Sequence, residues 1–236
     1  MKRRTILCVF AHPDDECFMC GGTIAACAAR GDRVILVTAT GGEAFTQQVR
    51  SRRSVASRKQ LRRRELRQSS RTLGIARVHV LDFPDGQLAA VPLGKLHRTV
   101  ASYLHRYQPD AVFSFAPDGV TRHRDHQVIS RVVQAVAREQ HNRGAGRPHV
   151  CLFGWPNHVR RRLGLPAASS QRHYRLSVGY FVNRKLRAIA AHRSQIKTKQ
   201  RFAGLSPRQQ RQLFQTEYVV RFPGEPVAPL REFLLS

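Results

Sequence analysis

The sequence predicts an α/β domain of three layers, with helices on both faces of a mostly parallel, Rossmann-like sheet. Three observations carry that expectation. TILCVFA (5–11), RVILVTAT (33–40) and DAVFSFAP (110–117) are apolar almost throughout instead of alternating, as strands buried on both faces must be. Segments of helical periodicity separate them. The alternation continues to HVCLFGW (149–155), which completes the pattern of a βαβ sheet.

Each element has its own signal. A helix is expected from Asp14 to Arg30, stopped by Gly31 as a C-terminal cap. Small residues Gly21 and Gly22 within it allow close approach to the sheet. The basic stretch 50–71 reads as a solvent-facing helix through Leu61, Leu66 and Leu73, ending at Gly74. ARVHVLDF (76–83) is the third strand, PDGQL a turn. Leu93, Leu96, Val100 and Leu104 put one apolar face on a helix over 92–107. DGVTRHRD is a loop, and 125–140 a helix turned inward through Val128, Val132 or Val133, and Val136. Beyond 155 the pattern is less regular: a loop over 156–172, a short strand near 174–178, a helix from about 182 to 200, and a last strand EYVVRF. No boundary or internal repeat appears, so a single domain over 1–236 is expected.

Composition limits the function. Lys and Arg number 41 against 15 acids, a net charge of +26. Such an excess suits a polyanionic partner or an anionic group on a substrate. It is spread along the chain without an aromatic–basic motif, so a solvated surface explains it better. No run approaches the roughly 18 apolar residues of a membrane span. The apolar start ILCVFA is shorter than a secretory core of about 7–15 residues, so a cytoplasmic protein is expected. Cys8, Cys17, Cys20, Cys27 and Cys151 are expected as reduced, buried thiols. Cys17 and Cys20 have CxxC spacing, but no second pair accompanies them.

The first strand runs into His12-Pro13-Asp14-Asp15-Glu16, not into the G-x-G-x-x-G of a dinucleotide site. Pro13 keeps His12 extended, so the helix starts just beyond it. The acids then fall in the first turn, where the helix dipole favours them. Capping explains one acid; it explains neither the second nor the histidine. A second polar cluster, GVTRHRDHQ (119–127), follows the fourth strand, with His123 and His126 three apart. In a doubly wound sheet, ligands bind at the carboxyl ends of the strands where the order reverses. Both clusters meet there. Two histidines and a carboxylate make a catalytic zinc set, and a neighbouring carboxylate can take a proton from water.

These motifs, AHPDDE and a distant H-x-D-H, resemble the PIG-L/LmbE-like zinc-dependent N-deacetylases. VTATGGEAF (37–45), RRRELRQSSRTLGI (62–75), LDFPDGQL (81–88) and KLRAIAAHRSQ (185–195) resemble further segments of that family, so the likeness spans about 5–200. The resemblance implies an LmbE-like fold and a Zn²⁺ ion held by His12, Asp15 and His126. It implies Asp14 as the base acting on a zinc-bound water, His123 as the stabiliser of the oxyanion, and Asp125 as the residue orienting an imidazole. Arg62 and Asp85 match substrate-contacting positions, and Glu43 could hydrogen-bond substrate or the metal's surroundings. Arg124 stands where the family has proline, with the ligand spacing intact. His192 shares a face with Lys185 and Ile189 and suits a packed, hydrogen-bonded histidine better than a catalytic one. The implied reaction removes an N-acetyl or N-acyl group from an amino-sugar or glycoconjugate substrate. Two rivals are a metal-dependent phosphoesterase and a nucleic-acid or anion-binding protein on a deacetylase scaffold.

Overall fold

A computed structural model describes residues 3–44, 54–142, 148–168, 172–195, 202 and 204–220. Parts of the basic stretch (50–53), of the helix expected to reach 200 and of the last strand lie outside the described residues.

Seven strands form one sheet: β1 (Thr5–Phe10), β2 (Arg33–Thr40), β3 (Arg77–Phe83), β4 (Ala111–Phe115), β5 (His149–Phe153), β6 (His173–Ser177) and β7 (Thr216–Val220). Their order is β3-β2-β1-β4-β5-β7-β6. β1 pairs in parallel with β2 and β4, β2 with β3, and β4 with β5. β7 is antiparallel to both β5 and β6. The order reverses between β1 and β4, so the cleft lies beyond the ends of those two strands.

Apolar sequence dictates which strands are central. Ile6, Leu7, Cys8 and Phe10 on β1 and Val112, Phe113 and Phe115 on β4 are fully buried, each contributing roughly 1.5–3 kcal/mol per large side chain. Edge strand β3 is largely half-exposed. Helices α1 (Asp15–Ala29), α2 (Val55–Leu73), α3 (Leu93–Tyr107), α4 (Gly119–Arg122), α5 (Arg124–Asn142), α6 (Asn157–Arg162), α7 (Val182–Ala191) and α8 (Pro207–Phe214) are described.

Several elements differ from the sequence's expectation. α1 is broken at Cys20, which has φ −137° and ψ 24°. The amides this break frees at Gly22 and Thr23 donate to the carboxylate of Glu217 on β7 at 2.7 and 2.9 Å. Lys185 Nζ completes that buried group, 2.6 Å from Glu217 Oε1. A Cβ on Gly22 would collide with Val178, just past β6, and Gly21 faces Lys185 of α7. The glycines therefore admit β6, Glu217 and α7 together. α2 is not wholly solvated: Arg62, Glu65, Ser69 and Ser70 are buried on one face, and Gly74 ends it in the left-handed conformation at φ 83°. The loop expected at 156–172 contains α6, and α8 starts with a capping box, Ser206 with Gln209. Among the described residues no helix is long and apolar enough to cross a membrane.

Candidate metal centre and active site

His12 and the acids turn sharply off β1. Asp14 is the N-cap of α1, yet its side chain makes no capping bond. Its backbone has φ 118°, a conformation costing on the order of 1–3 kcal/mol for a non-glycine residue. Local bonds hold it there. Asp14 N–H donates to Glu16 Oε2 at 3.1 Å, and Asp14 O accepts from Cys17 N at 3.0 Å and Phe18 N at 3.2 Å. Arg62 donates to Pro13 O and lies 3.4 Å from Asp14 Oδ2. The Asp14 carboxylate thus faces the cleft. Burial pushes its pKa up; Arg62 opposes this, and Asp15 adds to the rise.

Asp15 bridges both imidazoles, with Oδ2 3.4 Å from His12 Nδ1 and Oδ1 3.3 Å from His126 Nε2. The two imidazole nitrogens are 3.1 Å apart. Atoms about 2.0–2.1 Å from one tetrahedral ion stand about 3.3–3.4 Å from each other, so the three groups are spaced as ligands. The hydrogen-bond network assigns the lone pairs. His126 Nδ1 faces the carbonyl of Gly119 at 3.1 Å and must donate, leaving Nε2 as an acceptor. His12 Nε2 lies 3.0 Å from Asp85 Oδ1 and 3.1 Å from Asp125 Oδ2, so it donates, leaving Nδ1 as an acceptor. With neutral rings, the two imidazole nitrogens and the Asp15 carboxylate face one another with no side-chain donor between them, an arrangement that a cation stabilises. The proton affinity of His12 expresses the same demand: burial opposes its charge, but Asp125, Asp15 and Asp85 hold its pKa well above the ordinary value. Burial likewise penalises the Asp15 carboxylate, yet His126 and His12 hold its pKa far below the usual range.

The loop after β4 delivers the remaining groups. Gly119, Val120 and Arg122 all have positive φ, 68°, 63° and 58°. Asp118 caps Val120 N at 3.0 Å and accepts from Arg160 of α6. Arg160, 1% exposed, also donates to Trp155 O at 2.7 Å and Pro166 O at 2.9 Å. Phe115 stacks on His126, with centroids 4.1 Å apart. His123 Nδ1 accepts from Asp125 N at 3.2 Å, so the proton of the neutral ring sits on Nε2. Burial, then His126 and His12, lower the His123 pKa to about 4, and the ring is neutral at pH 7.

The sequence-derived residues therefore divide. His12, Asp14, Asp15, His123 and His126 come together at the cleft. Asp125 is fully buried, binds His12 and accepts Gly86 N and Leu88 N at 2.8 and 3.0 Å. Asp85 also sits on His12, with Oδ2 taking Ala44 N at 2.8 Å. With both acids engaged this way, they hold an imidazole instead of building a second ion site. Arg62 reaches the cleft with Nε and Nη1 unpartnered. Glu43 lies behind Asp85, its Oε1 accepting Asp85 N at 3.4 Å and standing 3.6 Å from Lys59 Nζ. His192 is packed as expected but is not hydrogen-bonded: neither ring nitrogen has a partner, and Nε2 is 3.7 Å from Glu16 Oε1.

Sequence reasoning missed Arg160, Trp155, Phe202 and Gln195. The last three line the cleft, a cavity of about 390 Å³. Gln195 stands in the motif K…H-x-S-Q, which was its available signal. Arg160 had none, since it is the first of three consecutive arginines, with nothing local to set it apart from Arg161 and Arg162.

Comparison with known proteins fits this geometry. The model of the PIG-L family, described as GlcNAc-PI de-N-acetylase, matches residues 7–137. A Bacillus anthracis protein, named probable N-acetyl-alpha-D-glucosaminyl L-malate deacetylase 2, is 31% identical over 202 residues, 84% of each chain. The structure of N,N'-diacetylchitobiose deacetylase from Pyrococcus horikoshii superposes with a TM-score of 0.68 at 21% identity, over 92% of this chain and 83% of that one. The 4-carboxy-2-hydroxymuconate hydratase of Pseudomonas putida KT2440 superposes equally well, TM-score 0.68 at 21% identity, over 95% and 98%. Likeness at that level speaks for the fold alone, and one fold hosts different reactions. The family model and the 31% relative together show that this chain belongs to the PIG-L (GlcNAc-PI de-N-acetylase) family.

Proposed function

We propose that the chain is a zinc-dependent hydrolase that removes the N-acetyl, or another N-acyl, group from an amino-sugar-containing substrate. One observation carries the reading: three acceptor groups, on His12, His126 and Asp15, converge at ligand spacing beside a buried Asp14 that caps nothing. Zinc held there would acidify water and polarise an amide carbonyl. Asp14 accepts the water's proton, and its raised pKa suits a base that must later release it. His123, neutral and protonated on Nε2, donates to the carbonyl oxygen as negative charge develops there. Asp125 and Asp85 fix the tautomer and orientation of His12. Arg62, which lines the cleft beside Asp14, supplies positive charge toward hydroxyl or anionic groups of the substrate. Water adds across the amide C–N bond, giving a carboxylate and an amine. The relatives' names supply the substrate class: N-acetylglucosaminyl malate and diacetylchitobiose are both N-acetylated sugars.

Amine release from a panel of N-acetylated sugars, with zinc added or chelated, tests this. Release that chelation abolishes and zinc restores is the expected result. Release unaffected by chelation, or none from any sugar amide, would overturn the assignment.

A further inference from the structure

The cleft has two unlike walls. His12, Asp14, Asp15, Arg62, Asp85 and His123 make one polar side. Met19, Phe18, Phe202 and Trp155 make the other. Phe18 and Met19 stand one helical turn beyond Asp14 and Asp15 on α1, so the apolar wall begins directly beside the proposed base. Phe18 stacks on Phe202, with centroids 5.6 Å apart and planes at 17°. Trp155 meets Phe202 edge-on at 6.4 Å and 80°. Phe18, Phe202 and Trp155 thus form one continuous aromatic surface, and Met19 follows Phe18 on α1. Phe18, Met19 and Phe202 are more than nine-tenths buried, whereas Trp155, which also lines the cleft, is half-buried.

An acetyl methyl covers little of such a surface, and sugar hydroxyls gain nothing from it. Trp155 and the cleft-facing edges of the three packed side chains remain in contact with water, and an apolar ligand gains by covering them. Aromatic rings add preferred stacking geometry to that gain. We propose that the natural substrate carries a hydrophobic group, an acyl chain longer than acetyl or an apolar aglycone, which lies along Phe18, Met19, Phe202 and Trp155. The sugar-amide part of this inference rests on the deacylase reading above; the apolar part rests on the cavity wall.

Trp155 is the single tryptophan of the chain, so its emission reports occupation of the wall directly. The full chain carrying Asp14→Asn, loaded with zinc, is titrated with three probes: the methyl glycoside of N-acetylglucosamine, its phenyl glycoside, and methyl N-hexanoylglucosaminide. Fluorescence and calorimetry give the affinities. The expected result is that the phenyl or the hexanoyl probe binds about tenfold or more tighter than the methyl glycoside, with a shift in tryptophan emission. Tighter phenyl binding assigns the wall to the aglycone; tighter hexanoyl binding assigns it to the acyl chain. In Trp155→Ala the calorimetric advantage falls to within about twofold. Equal affinities for all three probes, or no binding of any, would overturn the inference, since the wall would then serve the sugar face or nothing. Failure of amine release would sink the proposed reaction but leave these affinity ratios standing.

Discussion

The two segments that build the site are held in different ways. The turn after β1 is fixed by its neighbours: His12 N–H donates to Asp15 Oδ2 at 2.7 Å, and Asp14 N–H to Glu16 at 3.1 Å. The loop after β4 is fixed from a distance, by a guanidinium on α6 that binds Asp118 and two carbonyls. The first segment draws on its own residues and on Arg62 of α2, all within the family match, whereas the second depends on chain beyond the match at 137. Strained backbone occurs in both, at Asp14 in one and at Val120 and Arg122 in the other. Mostly local hydrogen bonds, joined by Arg62 on Pro13 O, retain the first, and the Arg160 clamp on Asp118 supports the second.

The largest expected effect probes the first segment chemically. Asp14→Asn should lower turnover by about 10²–10⁴-fold, the usual contribution of a positioned base. Zinc content by elemental analysis should stay the same, because Asp14 is not among the proposed ligands. Full activity in that variant would remove Asp14 from the mechanism. Next comes the clamp. Arg160→Met leaves the Asp118 carboxylate and the carbonyls of Trp155 and Pro166 without their donor, so urea unfolding should report a loss of about 3–5 kcal/mol. A double-mutant cycle with Asp118→Asn should show coupling between the two positions. An unchanged urea midpoint would mean that the β4 loop holds its own shape and that the contrast drawn above is false.

Zinc would join the two segments, and so sharpens the comparison from another side. At a free concentration 100 times its Kd, it should add about 2.7 kcal/mol of stability, which chelation reverses in thermal unfolding. Arg160→Met should reduce that increment, because His126 is then less well placed. The smallest effect belongs to Cys17. Its Sγ donates to Asp14 O at 2.9 Å, and burial holds its thiol well above the ordinary pKa. It therefore remains a donor at pH 9. Cys17→Ala should cost about 1 kcal/mol or less, and the native thiols Cys8, Cys17, Cys20 and Cys27 should resist a thiol reagent until the protein unfolds. Rapid labelling of the folded protein would contradict that burial.

What could be read from the sequence follows the range of the interactions. Parallel strands and the switch between β1 and β4 were legible because their apolar runs are continuous. The HPDDE turn was legible because dense chemistry lies within five positions. Asp85 was read as a substrate contact, but β3 lies beside β2 and carries the turn over to His12. That proximity belongs to the sheet order, not to the motif. Arg62, Glu65 and Ser69 follow helical spacing, yet a search for apolar faces passes over a buried polar one. The break at Cys20 and the clamp at Arg160 depend on partners 197 and 42 positions away, respectively, in Glu217 and Asp118. His192 was expected to be bonded, and its ring instead sits unpartnered near Glu16, a contact that no local pattern encodes.

Glu217 gives the end of the chain a stake in its beginning. A fragment stopping at residue 137 would keep His12, Asp15 and His126, and so would look complete on paper. It would lack the carboxylate that quiets the loose amides at Gly22 and Thr23, and Lys185 with it. The helix that presents the acids would then be free to unravel from its middle. The domain cannot be shortened to its motifs.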